Sequence, residues 1–216
     1  MLKVGLTGGV ASGKSTLGRL LEDHGAARCD ADTVVEELYR PRRPGATAVE
    51  ELFGRRALAS DGSVDRPALA RLVLADAAAR RRLEEAVHPL VRRTIGGWFA
   101  ALERGAGPPA IAVVEAALLV ETAAYRDDDR LVVVTAPMTA RRAWALAAGW
   151  PVEKFAQVVA AQLDDASREA VADYVVRNDG DLEALALAAR ELWSMLQEDA
   201  KLQAAGRALP ARRGKG

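Results

Sequence analysis

Residues 5–16 read GLTGGVASGKST, and within them Gly8, Gly13, Lys14 and Ser15 complete the pattern G-x-x-x-x-G-K-S of a phosphate-cradling loop. The glycines let the backbone curl, so that the N–H groups of Gly8, Gly9, Val10, Ala11, Ser12, Gly13, Lys14, Ser15 and Thr16 can turn toward a polyphosphate. The helix that follows adds the positive end of its dipole. Lys14 is expected to reach the outer phosphates, and Ser15 to offer its hydroxyl to a magnesium ion. Chance would produce the pattern in roughly two chains per thousand of this length. Context narrows it further: Leu2–Leu6 is a short apolar run suited to a buried strand, and Lys14–His24 carries Leu17, Leu20 and Leu21 at helical spacing. The chain has 5 lysines against 25 arginines. A lysine at position 14 therefore runs against its own bias, and a compact ammonium suits crowded phosphates better than a planar fork does.

At 216 residues with no net formal charge and half its residues hydrophobic, the chain suits one domain carrying an inserted subdomain. Nothing in that balance marks a disordered protein or a general nucleic-acid binder. Cys29 is the only cysteine, which excludes an intramolecular disulfide, and its apolar neighbours suit a small buried side chain. No apolar run approaches the roughly 18 residues of a membrane span, and no signal-peptide pattern opens the chain. A cytoplasmic enzyme is the expectation.

Short apolar runs recur at Val4–Leu6, Ala26–Cys29, Ala110–Val114, Leu131–Thr135 and Tyr174–Arg177, with helical patterns between them. That alternation predicts an α/β fold, a five-stranded parallel sheet with helices on both faces. The stretch between the second and third runs is too long for one crossover. It holds the helical patterns Ala46–Phe53, Arg66–Val73, Ala77–Val87 and Leu90–Leu102, punctuated by Pro41, Pro44, Asp61-Gly62 and His88-Pro89. The predicted organisation is a nucleotide-binding core over residues 1–40 and 106–205, with a lid at about 141–170, and an all-helical acceptor-binding insertion over 41–105. A last helix at about Leu182–Leu202 is predicted to pack through Leu182, Leu185, Leu192, Trp193 and Leu196. The arginine-rich tail, 206–216, has little that can pack and is expected to be disordered.

Ligands of open parallel sheets bind beyond the carboxyl ends of the strands. Asp30 and Asp32 follow the second strand directly, where an acceptor hydroxyl must lose its proton or a metal ion must be held. Asp30 suits equally well the N-cap of a helix over Ala31–Tyr39. Glu115 and Glu121 follow the third strand; each can serve a metal or a substrate, and each alone reads more simply as an exposed carboxylate at a helix start. His88-Pro89 is a substrate contact or a break between helices with a half-buried imidazole. His24 reads as a surface residue at a helix end. Arg141 and Arg142 open the helix after the fourth strand, with Arg168 farther on, and phosphoryl transfer needs cations around the moving group. Arg142 is the expected catalytic cation.

Taken together, residues from about 2 to 200 resemble the dephospho-CoA kinase family. The resemblance rests on GLTGGVASGKST, Asp30-Ala31-Asp32, Pro44-Gly45, Asp61-Gly62, Asp65-Arg66, Leu83-Glu84, His88-Pro89, Leu118–Glu121, Gln162, Ala172-Asp173 and Asn178. It implies a P-loop kinase fold and transfer of the ATP γ-phosphate to the ribose 3′-hydroxyl of dephospho-CoA, with Mg2+. It also implies Asp32 as the base for that hydroxyl, with Lys14 serving the phosphates. Asp30 would be a partner in substrate or metal contact, and His88, Arg92, Leu118 and Glu121 acceptor-side residues. Asn178 resembles the family residue beside the adenine. ATP and dephospho-CoA would be the partners, with neither nucleic acid nor membrane, in a monomer or small homo-oligomer. Two other readings share the loop: a kinase for a nucleoside or sugar acid, and a nucleotide-binding regulatory module, against which the lack of an Asn-Lys-x-Asp signature counts.

Three departures stand out. Ala11 replaces a usual glycine, which is tolerable if that position keeps a negative φ. Glu115-Ala-Ala replaces a common Asp-x-Pro. The lid shows Arg141-Arg142 followed by Leu146 and Ala147 where a second arginine is usual, so that either Arg168 supplies the missing charge or turnover is slower.

Overall fold

A computed structural model describes residues 1–74 and 76–210. The chain divides into two compact units: Met1–Cys29 with the chain from Gly105 onward, and Asp30–Arg104.

The first unit is built on a five-stranded sheet formed by β1 (Leu2–Gly8), β2 (Ala27–Asp30), β3 (Ile111–Glu115), β4 (Arg130–Thr135) and β5 (Tyr174–Arg177), in the order β2-β3-β1-β4-β5. β1 runs parallel to both β3 and β4, with Leu6 opposite Glu115 on one side and Val132 on the other, and β4 runs parallel to β5. Its central strands are buried on both faces, which is why they read as unbroken apolar runs. The two-residue period of a strand divides their side chains: Val132 and Val134 join a cluster with Leu17, Leu21, Leu185, Leu192 and Leu196, whereas Leu131 and Val133 join Leu119 and Ala172 on the other face. The first cluster is closed by α1 (Lys14–Asp23) and α9 (Leu182–Ala204). Fully buried leucines such as Leu192 and Leu196 each contribute about 2 kcal/mol through removal from water. α6 (Met138–Ala147), α7 (Val152–Ala160) and α8 (Asp165–Glu169) lie between β4 and β5 in the chain.

α9 departs from its expected packing at one residue. Leu182, counted toward the core, is 64% exposed, because it is the first residue after the Asp181 N-cap and precedes the turn that meets the sheet. The tail also departs: Leu209 packs against the first cluster, and the Pro210 carbonyl accepts from Arg130 Nη1 at 3.2 Å. The start of the segment expected to be disordered is thus held by a buried arginine, and the rest, 211–216, lies outside the described residues. Arg130 is itself clamped by Asp199, at 2.6 and 3.0 Å, and Asp199 also accepts from the Tyr174 hydroxyl at 2.7 Å.

The second unit is helical: α2 (Ala31–Leu38), α3 (Pro44–Phe53), α4 (Arg66–Leu74) and α5 (Ala77–Arg104). It begins at Asp30, so α2 groups with the helices rather than with the sheet as expected. Its core gathers Ala46, Val49, Phe53, Ala57, Val64, Leu69 and Ala79. Gly62, at φ 84°, makes the tight turn after Asp61, whose carboxylate accepts from the Ser63 N–H. The break expected at His88-Pro89 does not occur, because α5 runs straight through Pro89. A proline at an interior position costs about 3 kcal/mol. Burial of Ala79, Val87 and Phe99 on either side of it, with α5 packed on α2, α3 and α4, offsets that cost.

Candidate active site

The phosphate loop turns at the end of β1, where Gly8 has no room for a side chain: an added Cβ would strike the Val134 carbonyl and Ser12 Oγ. Gly13 takes the left-handed conformation, φ 92°, as the N-cap of α1 and offers no side-chain cap. The first amides of α1 therefore have no partner within the helix, which is the arrangement that receives an anion. Ser12 is 1% exposed and its Oγ has no hydrogen-bond partner. A buried hydroxyl left unpaired inside such a loop points to a polar ligand.

Three neighbours fix the loop backbone. Asn178, 7% exposed just after β5, donates Nδ2 to the Ser12 carbonyl at 3.0 Å. Gln162 Oε1 accepts from the Val10 N–H at 2.9 Å, and Arg141 Nε donates to the Val10 carbonyl at 2.8 Å. Of the arginine pair, Arg141 is the one turned to the loop, buried against Gly9, while Arg142 is exposed. One residue along a helix is a rotation of about 100°, which separates the two side chains. Burial lowers the pKa of Arg141 and outweighs the pull of Asp165, although a guanidinium stays charged.

Ala11 is the loop's strained residue. Its φ is 56°, so the condition of a negative φ is not met. A non-glycine residue there carries about 1–2 kcal/mol of steric cost.

Glu115 corrects the expectation of an exposed helix-start carboxylate. It is the last residue of β3, beside β1, and 1% exposed. Its Oε1 accepts from Lys14 Nζ at 2.8 Å and, in a short hydrogen bond, from Ser15 Oγ, and its Oε2 accepts from Arg28 Nη1 at 2.9 Å. Burial pushes its carboxyl up, but the charge and hydrogen bonds of Lys14 and Ser15, with Arg28, prevail and hold it below the usual carboxylate range. The available signal in the sequence was an acid closing an apolar strand; the three basic or hydroxylic partners come from elements far apart in the chain.

Glu121 and Arg168 answer each other. Arg168 is fully buried, with Nη2 on Glu121 Oε1 at 2.6 Å and Nη1 on the Leu163 carbonyl at 2.6 Å. Glu121 Oε1 also accepts from the Leu163 N–H. Arg168 is thus engaged with Glu121, which was expected with the acceptor, and the exposed residue of that segment is Leu118.

The other expected site residues belong to the helical unit. Asp30 caps α2, its Oδ1 accepting from the Asp32 N–H at 2.9 Å, and Asp32 stands exposed in the first turn. His88 and Arg92, one helical turn apart on α5, line a depression with Arg81, Glu84, Glu85 and Pro89. His24 is on the surface and stacks on Trp193, ring centres 6.0 Å apart.

Among the described residues no cluster of three or more His, Cys, Asp or Glu side chains could hold a metal by itself. Ser15 Oγ and Glu115 Oε1 are nevertheless adjacent oxygen donors, the chemistry that suits a hard divalent cation completed by phosphates and water. No helix among those residues is long and apolar enough to cross a membrane.

A parallel sheet of order 2-3-1-4-5, with the glycine loop after its central strand and an acid at the end of the neighbouring strand, defines a P-loop nucleotide-binding protein of the kinase type. A family profile described as dephospho-CoA kinase matches residues 2–184, and the chain belongs to that family. It is 40% identical over 206 residues to the dephospho-CoA kinase of Frankia casuarinae, covering 94% of this chain and 88% of that one. With the dephospho-CoA kinase of Moorella thermoacetica it shares 39% identity over 198 residues, covering 91% and 93%. Among solved structures, a Thermus thermophilus protein superposes with a TM-score of 0.75 at 31% identity, covering 91% of this chain and 97% of its own. The dephospho-CoA kinase of Campylobacter jejuni, at 20% identity and TM-score 0.67 over 92% and 97%, shares the fold.

Proposed function

We propose that this chain transfers the γ-phosphoryl group of ATP to the 3′-hydroxyl of dephospho-CoA, releasing ADP and coenzyme A in the cytoplasm. The observation that carries the reading is the loop of a dephospho-CoA kinase family member with Lys14 and Ser15 gathered on the buried Glu115. The triphosphate lies over the first amides of α1, and Lys14 stabilises the charge that grows on the transferring group. Ser15 and Glu115 would hold Mg2+, which would supply charge neutralisation for the phosphates. Arg141 and Gln162 hold the Val10 peptide and so the shape of the loop, and Asn178 holds its far side.

Asp32 takes the proton of the 3′-hydroxyl. The freed oxygen bonds to the γ-phosphorus, the bond from that phosphorus to the β,γ-bridging oxygen breaks, and ADP leaves with that electron pair. Asp32 returns its proton to water. Asp30 caps α2 and so sets the position of Asp32, and His88 and Arg92 would receive the acceptor.

The test is direct. Purified chain with ATP, Mg2+ and dephospho-CoA should yield ADP and coenzyme A in equal amounts, and a panel of nucleosides and sugar acids should not replace dephospho-CoA. Asp32→Asn should bind ATP normally and lose about 10²–10⁴ in turnover. No transfer to dephospho-CoA at saturating Mg2+ rules the reading out.

A further inference from the structure

Glu115 has two cationic partners, and only one of them belongs to the phosphate loop. Lys14 and Ser15 share Oε1, while Arg28, on the edge strand β2, holds Oε2 at 2.9 Å. The guanidinium is oriented from its other side, where its Nε donates to Glu22 of α1 at 3.0 Å. Arg28 is thus a bridge between a surface acid and a buried one, its side chain 19% exposed against 1% for Glu115. Room for the bridge comes from Gly18. A Cβ there would stand 2.9 Å from Glu115 Oε2 and 3.1 Å from Arg28 Cδ, so α1 accepts glycine at an interior position that disfavours it. Three elements, α1, β2 and β3, meet in this arrangement.

The consequence concerns what happens to Glu115 when Lys14 is drawn to a triphosphate. A buried carboxylate that loses one of its partners is strongly disfavoured unless another holds it, and tends to turn away. We propose that Arg28 is a positioning residue of the phosphoryl-transfer site. It stays on Oε2 as the lasting partner of Glu115 and keeps Oε1 aimed at Ser15 while Lys14 serves the phosphates. This rests on the reading of Ser15 and Glu115 as the donors for the divalent cation. The use of a glutamate in place of a shorter aspartate follows from the same geometry, because the carboxylate must reach an arginine on one oxygen and the loop on the other.

The experiment uses the full chain with Mn2+ in place of Mg2+ and a non-hydrolysable ATP analogue, reading bound Mn2+ by electron paramagnetic resonance, alongside steady-state kinetics. Arg28→Met keeps the stem and removes the charge. It should weaken Mn2+ binding to the nucleotide complex about 10–100-fold and lower kcat by a similar factor, with KM for ATP within about threefold of the parent. Arg28→Lys, which keeps one charge, should recover part of both losses, a rescue that a merely structural role does not produce. Gly18→Ala fills the space needed by Glu115 and Arg28 and should weaken Mn2+ binding in the same way, even though alanine favours the helix; it carries the test if Arg28→Met does not fold. A folded Arg28→Met protein whose Mn2+ affinity and kcat both stay within twofold of the parent overturns the proposal, as does Gly18→Ala with unchanged Mn2+ binding. Glu115→Gln separates the levels: if it too binds Mn2+ normally, the reading of Glu115 as a donor fails and takes this inference with it. If it is impaired while Arg28→Met is not, only the role of Arg28 falls.

Discussion

Lys14 Nζ and Glu115 Oε1 lie 2.8 Å apart although 101 residues separate them in the chain, and the carboxylate side of that pair is almost wholly buried. The loop's ammonium is therefore paired with Glu115, and a bound nucleotide would have to draw it away.

Lys14→Ala removes that ammonium and should lower kcat by about 10²–10³, with a smaller effect on KM for ATP, because the lysine matters most to charge that develops in the transition state. Steady-state kinetics at saturating Mg2+ check this. Near-normal turnover would contradict the placement of the outer phosphates at Lys14.

Ala11 at φ 56° gives a test in the opposite direction. Ala11→Gly relieves the steric cost of the left-handed conformation and gives back part of the gain through the more flexible unfolded chain, leaving a net rise of about 0.5–1 kcal/mol. Urea unfolding should show a higher midpoint at unchanged slope. A lower midpoint would show that the alanine methyl makes a packing contribution larger than the strain.

Arg168 tells apart two uses of an arginine. Its full burial and its contacts with Glu121 and the Leu163 carbonyl predict that Arg168→Met leaves Glu121 without its counter-ion and lowers stability by about 3–5 kcal/mol. Thermal unfolding measures the loss. The protein that remains folded at low temperature should retain kcat within a few-fold, whereas a selective collapse of kcat at full stability would assign Arg168 to the moving phosphate.

Tyr174 predicts an alkaline dependence. Burial first, then its hydrogen bond to the Asp199 carboxylate, raise its hydroxyl from the ordinary value of 10.0 to about 12. A group whose pKa is higher in the folded than in the unfolded protein stabilises fully below the unfolded value and loses that contribution as pH rises through the folded one. Stability should thus fall between pH 10 and about 12. Tyr174→Phe should cost about 1–2 kcal/mol at neutral pH through the lost hydrogen bond to a charged group and should flatten this alkaline decline. Denaturant unfolding across pH 8–12 provides the measurement, and an unchanged slope in the variant would contradict it.

Residues 5–16 determined the most by themselves: a strand, a left-handed glycine and a helix start are local events, and the residue types state what the backbone must do there, Ala11 with its positive φ excepted. The strands were legible for a related reason, since a strand buried on both faces has to be apolar throughout, as Leu131–Val134 is. Local pattern also located the acids after β2 and the helices of the second unit. It misjudged Pro89, because the cost of a proline is a local quantity and the burial that outweighs it along α5 is not.

Tertiary structure alone decided which charges meet. Glu115 and Glu121 look alike in sequence, six residues apart after the same strand, yet one closes on Lys14, Ser15 and Arg28 and the other on Arg168. Arg141 and Arg142 are neighbours of one type, yet one grips Val10 and the other faces water. The reason is physical: residue type specifies a charge and its reach, whereas burial and a partner across about a hundred residues arise only when parallel strands bring distant ends of the chain to the same edge of a sheet.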